Sequence, residues 1–174
     1  MMRTMMNRTL VAAALFAAAF ASAASPGLAQ STTVIVVRHA ETTPGGSDPV
    51  LSEAGTTRAR ALAAAVRHAN VAAVYSTQYQ RTRLTAGPIA DSLHLTVTAM
   101  PAANPMQAHI DAIVAKVKEH AGKTVVVVGH SNTVPMIIKA LGGPDIGAIP
   151  ETEYDNLFTV ISDSTGVRLI RSRY

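Results

Sequence analysis

Two stretches of the chain are apolar at every position: Val34-Ile35-Val36-Val37 and Val125-Val126-Val127-Val128. β-branched side chains are stiff at χ1 and pack well on a pleated surface, so both runs are expected as strands. Neither run alternates with polar residues. A strand that is apolar on both faces belongs in the interior of a parallel sheet covered by helices on each side. Shorter strand patterns fall at Val71–Tyr75 and Leu95–Thr98. Helical spacing appears between the strands. The segment 56–68 carries Leu62 and Val66 four apart behind Ser52, a good N-cap. Gln78–Leu93 reads as a helix with an interruption expected at Gly87-Pro88. Ala108–His120 places Ile110, Ile113, Val114 and Val117 on one face and ends before Gly122. Thr133–Leu141 is a further helix, stopped by Gly142-Gly143-Pro144. Leu157–Ser162 and Val167–Ile170 flank Asp163-Ser164-Thr165-Gly166, a hairpin signal. The segments 42–49, 100–105 and 145–156 are left as loops. Strands alternating with helices predict an α/β fold, a three-layer sandwich whose sheet is mainly parallel with an antiparallel edge.

Composition changes this picture mostly at the start of the chain. Arg3 and Arg8 precede an apolar run from Leu10 to Phe20, followed by small residues and a break at Pro26-Gly27. A basic segment, a short apolar segment and a small-residue segment together read as a secretory signal peptide over 1–29, cleaved after Ala23 or Ala29. The apolar run, eleven residues, falls short of the roughly 20 that span a bilayer. The expected organisation is therefore a leader at 1–29 and a single domain at 30–174, exported, with a periplasmic location and no stable membrane insertion after cleavage. Removing the two leader arginines from the 15 Lys and Arg leaves 13 basic against 11 acidic side chains, too mild a balance to argue for nucleic acid. There is no cysteine, which excludes disulfides, a thiol nucleophile and Cys-ligated zinc.

The chemistry sits where the two apolar runs end. The first leads into Arg38-His39-Ala40-Glu41 and the second into Gly129-His130-Ser131-Asn132. Ligands of open α/β sheets bind beyond the carboxyl ends of the strands, so neighbouring parallel strands would bring His39 and His130 to one rim. A neutral imidazole is a competent nucleophile, and toward phosphorus it would form a phosphohistidine. The transferred phosphoryl group carries spread negative charge, which calls for positive electrostatics. Arg38 offers a planar fork for phosphate oxygens, and Arg81 beyond the second strand would complete a cradle. Two other readings compete. His39, His130 and Glu41 could hold zinc in a metal-dependent hydrolase, although Arg38 beside a cation is unfavourable. A cradle without turnover would make a phosphate- or phosphosugar-binding module.

Four segments in this order resemble the histidine phosphatase superfamily, the phosphoglycerate mutase-like group. They are Arg38-His39-Ala40; Asp48-Pro49-Val50-Leu51-Ser52 with Gly55 and Arg58-Ala59; Ser76 through Arg81 to Thr85-Ala86; and Gly129-His130-Ser131. The resemblance implies a phosphoglycerate mutase-like fold and a metal-independent phosphomonoester or phosphoanhydride hydrolase with no cofactor, acting on a small phosphorylated substrate. It implies His39 as nucleophile, with Arg38, Arg81 and His130 around the phosphate. The Thr85-Ala86 register favours Arg81 over Arg83. One departure matters: many members carry a Glu or Asp beyond the Arg-x-x-x-Thr-Ala helix that protonates the leaving oxygen, and 99–105 contains no carboxylate. His109 and Asp111 come next and are the candidates, although the start of an amphipathic helix is expected to be exposed. Asn132 reads as a helix N-cap; Arg58, Arg60 and Arg67 read as solvated; Glu151, Glu153 and Asp155 read as loop charges. Glu41 either orients a site group or pairs with an arginine.

Overall fold

The structure is a computed structural model and describes residues 31–174; the leader expected at 1–29 lies outside the described residues. Six strands and four helices alternate along the chain: β1 (Thr32–Arg38), α1 (Glu53–Val66), β2 (Val71–Ser76), α2 (Gln80–Leu93), β3 (Val97–Ala99), α3 (Met106–Lys118), β4 (Thr124–Gly129), α4 (Thr133–Ala140), β5 (Asn156–Asp163) and β6 (Gly166–Arg173). They form one sheet in the order β3-β2-β4-β1-β5-β6. The first four are parallel, and the β5–β6 hairpin adds two antiparallel strands at one edge. The two all-valine-type runs, β1 and β4, are neighbours at the centre, with Val34 opposite Val125 and Arg38 opposite Gly129.

Side chains alternate across a strand, and the sequence uses both faces. Val34, Val36, Val125, Val127, Phe158 and Val160 meet Ile110, Ile113 and Val117 of α3 and Val134, Ile137 and Ile138 of α4. Ile35, Val37, Val126, Val128 and Leu157 meet Leu62 and Val66 of α1 and Ala86 and Ile89 of α2. That is the three-layer sandwich expected from the sequence. At α1, Ser52 accepts from the Gly55 amide at 3.1 Å as the predicted N-cap. A Cβ on Gly55 would come within 2.0 Å of the Glu41 carbonyl oxygen, so only glycine lets α1 lie against the segment leaving β1.

Three expectations are corrected by the structure. The interruption at Gly87-Pro88 is absent: α2 runs unbroken with Pro88 inside. The residue whose carbonyl a proline cannot serve is Leu84, which is exposed, so solvent rather than core surrounds that turn. β3 starts at Val97 instead of Leu95, because His94 turns left-handed (φ 54°) and Leu95 donates its N–H to Ala90 O at 2.9 Å to close α2. Arg58 is not simply solvated: its Nε and Nη2 grip the Glu41 carboxylate at 2.9 and 2.6 Å.

Candidate active site

The carboxyl ends of β1 and β4 converge as the parallel pairing requires. The His39 N–H donates to Gly129 O at 3.0 Å, and the His39 and His130 rings stand 5.4 Å apart at 66°. Nδ1–H of His39 donates to the Ala40 carbonyl at 2.8 Å, since a carbonyl can only accept. That fixes the tautomer and leaves the Nε2 lone pair free. The Thr-Ala pair of α2 explains itself here. Thr85 Oγ1 accepts from the Ala40 N–H at 2.9 Å and donates to Arg81 O at 2.7 Å, tying the segment after β1 to the helix that carries the second arginine. The fully buried Ala86 lets that helix approach the sheet.

Arg38 is 4 % exposed. Its Nη1 donates to Pro150 O at 2.9 Å and Glu153 O at 3.3 Å, and its guanidinium lies 4.2 Å from the centre of the Tyr154 ring. Its Nε is buried with no partner. Arg81 opens α2, stacks over Tyr79 at 4.5 Å and sits 3.7 Å from Asp48. Asp48 also accepts from the Gln80 N–H at 2.9 Å, so the loop after β1 anchors the start of α2. His130 is held by Thr77, whose Oγ1 is 3.1 Å from Nε2 and 2.7 Å from Thr82 Oγ1. A Cβ on Gly129 would fall 2.9 Å from Thr133 Oγ1, the atom that accepts the His130 N–H.

Arg38, His39, Thr77, Arg81, His130 and Thr133 line one cleft of about 560 Å³, together with Tyr79, Ala102, Ala103, Met106, His109, Ser131, Asn132 and Glu151. Burial holds the His39 imidazole down to about 4, and the nearby Arg38 and Arg81 charges push the same way against the Ala40 hydrogen bond. Burial, with the His39 and Arg81 charges, lowers His130 to about 3. Both rings are neutral at neutral pH. The cleft therefore holds a neutral, oriented imidazole beside permanent positive charges.

All four residues expected in the site, Arg38, His39, Arg81 and His130, line this cleft, and Arg83 is exposed elsewhere. His109 departs from its expected exposure: it is 2 % exposed and lines the cleft. Asp111 stays outside, accepting from Gln107 at 2.8 Å on the surface. Glu151 is not a mere loop charge, because its carboxylate bonds Arg38 and accepts from Ser131 Oγ at 2.8 Å. The Ser131 hydrogen bond and the Arg38 charge hold it below the usual carboxylate range. Asn132 stands at the N-cap position of α4 but makes no side-chain cap. Glu41 is committed to Arg58, which lowers its carboxyl pKa, and among the described residues no three metal-ligating side chains converge. Tyr154 lies in irregular backbone and had no signal in the sequence; Thr77 and Tyr79 fall inside the Ser76–Ala86 motif, where nothing singled out their side chains.

Residues 34–108 match the model of the histidine phosphatase superfamily (branch 1). The matched segment carries Arg38, His39 and Arg81 of the cleft. No curated protein matches the sequence. Among solved structures, the chain is similar to the protein histidine phosphatase SixA complexed with tungstate (16 % identity, TM-score 0.65, covering 81 % of this chain and 96 % of that one). It is also similar to a mycobacterial glucosyl-3-phosphoglycerate phosphatase with inorganic phosphate (17 % identity, TM-score 0.62, covering 82 % and 96 %). A third is phosphoserine phosphatase from Entamoeba histolytica in complex with 3-phosphoglyceric acid (17 % identity, TM-score 0.60, covering 82 % and 97 %). At these identities the likeness is one of fold.

Proposed function

We propose that the protein is a metal-independent phosphatase that hydrolyses small phosphomonoesters or phosphoanhydrides through a phosphohistidine on His39. The observation that carries this reading is the fixed tautomer of His39: Nδ1–H is spent on Ala40, so the neutral ring points its reactivity through Nε2. Arg38 and Arg81 supply the positive field that a transferring phosphoryl group needs. Arg38 Nε, buried without a partner, is a donor that a phosphate oxygen would satisfy. In the first step Nε2 attacks phosphorus and the leaving oxygen departs with its electron pair. In the second, water attacks the phosphohistidine, and the P–N electron pair returns to Nε2. His130, its ring 5.4 Å from that of His39, takes a proton as the dianion docks and donates it in a hydrogen bond to a phosphate oxygen.

Two observations weigh against the zinc reading: Glu41 is gripped by Arg58 through both oxygens, and the cleft is cationic. Turnover of an aryl phosphate in excess EDTA, lost in His39→Ala, tests the proposal. Turnover abolished by EDTA and restored by zinc contradicts it. Phosphate binding with no turnover would make the protein a binding module. We also propose export with removal of the leader, supported by the basic–apolar–small pattern of residues 1–29. Mature protein should then begin near Ala24 or Gln30, and secreted material that retains Met1 would refute cleavage.

A further inference from the structure

Among the described residues, two buried side-chain polar atoms have no hydrogen-bond partner: Arg38 Nε and His109 Nε2. Both residues line the same cleft. A phosphate oxygen docked in the cradle would satisfy the first. The second asks for a different ligand atom, because His109 lies on α3, outside the Arg-His cradle.

The geometry fixes what His109 can offer. Its Nδ1 is 3.0 Å from Pro101 O, and a carbonyl only accepts, so Nδ1 carries the hydrogen. Every proton gained or lost by this ring therefore passes through Nε2, as in His39. A second N–H, at Nε2, would have no partner in the protein. Native structures rarely leave such an atom orphaned, and catalytic sites are a common reason. Other proton carriers near the cleft are poorly suited. Glu151 is ionised against Arg38 and Ser131, so it has no proton to give at neutral pH. Asp111 faces solvent beside Gln107. The loop that bears Pro101, Ala102 and Ala103 has no carboxylate at all.

We propose that His109 is the catalytic residue that protonates the leaving oxygen and then activates the hydrolytic water. The proposal rests on the phosphohistidine reading. As His39 Nε2 forms its bond to phosphorus and the P–O bond breaks, the Nε2 proton of His109 passes to the leaving oxygen, giving an alcohol and a neutral ring. In the second step the same Nε2 accepts a proton from the attacking water. The P–N bond breaks, inorganic phosphate forms, and His109 ends protonated for the next cycle. A histidine thus takes the task that a carboxylate performs in many members of the superfamily. The substrates that depend on it are phosphate esters of alcohols, whose leaving oxygens are strongly basic.

The test is kcat/KM for a series from p-nitrophenyl phosphate through phenyl phosphate to glycerol phosphate, with wild type and His109→Gln. The wild type should depend weakly on leaving-group basicity. The variant should lose less than about tenfold on p-nitrophenyl phosphate and about 10²–10⁴-fold on glycerol phosphate. Equal losses across the series, or none, overturn the proposal. The same graded loss in Glu151→Gln, with His109→Gln unaffected, would assign the proton to Glu151 and overturn it as well. If His109→Gln does not fold, the wild-type series decides, since a steep dependence there means that no group protonates the leaving oxygen. Absence of wild-type turnover and of phosphate on His39 refutes the phosphohistidine reading itself; turnover with the wrong leaving-group pattern refutes only the role of His109.

Discussion

Lowering the pH should destabilise this protein through its two cleft histidines before its carboxylates respond. In the unfolded chain both rings have the ordinary pKa of 6.5, whereas in the fold His39 is lowered to about 4 and His130 to about 3. Above pH 6.5 both states carry the neutral rings, and neither histidine affects stability. As the pH falls below 6.5 the unfolded chain binds protons that the folded chain refuses, so stability is lost with each step down, and the loss from each ring stops once the folded pKa is passed. At pH 5 each ring has cost about 2 kcal/mol, so the pair together costs about 4 kcal/mol. That is a large part of the 5–15 kcal/mol typical of a domain. The carboxylates Glu41, Glu151, Asp145 and Asp163 are all held low, and their stabilisation is lost only as the pH drops through the acid range below about 4.5. The window from pH 7 to 5 therefore isolates the histidines. The assay is urea unfolding at several pH values for wild type and the double variant His39→Gln/His130→Gln. Wild type should lose about 4 kcal/mol over this window, and the double variant should be nearly flat. A double variant that loses stability as steeply as wild type would refute the burial and charge argument.

Further outcomes follow from the same contacts. Glu151 is 77 % exposed and competes with phosphate for Arg38, so Glu151→Gln should tighten inhibition by inorganic phosphate, by about two- to fivefold for an exposed pair; weaker inhibition would contradict that competition. Thr85→Val keeps the shape of the side chain but leaves the buried Ala40 N–H without a partner, which should cost about 1–3 kcal/mol of stability and lower kcat, read by denaturant unfolding and steady-state kinetics. Glu41→Gln loosens the grip of Arg58, which should cost about 1 kcal/mol or less, while turnover in EDTA stays near wild type; loss of activity restored by added zinc would return Glu41 to the site.

The sheet was readable because its central strands are unusually plain. Four β-branched residues in a row at Val34–Val37 and again at Val125–Val128 leave no polar face, which forces two covering layers of helix. Once those runs are parallel neighbours, Arg38-His39 and Gly129-His130 must share a rim, and the motif after β2 brings Arg81 to the same place. What local pattern could not show were the contributions of the long segment between α4 and β5. Glu151 and Tyr154 reach Arg38 only because that segment folds back over the cleft, a long-range event with no periodic signature. His109 was obscured for a different reason. The first turn of an amphipathic helix is ordinarily wet, but the Met100–Pro105 loop covers this one and hands Pro101 O to the imidazole. Arg58 likewise looked like one more helix-surface charge until the close approach at Gly55 brought Glu41 within its reach.

The central claim is that His39 carries the phosphoryl group. The most direct measurement is rapid acid-free quenching of the protein after mixing with a labelled aryl phosphate in excess EDTA, followed by detection of protein-bound phosphate. The account predicts phosphate that is stable to base and labile to acid, localised to His39 and absent in His39→Ala. Turnover in wild type with no protein-bound phosphate, or with undiminished rate in His39→Ala, would contradict it.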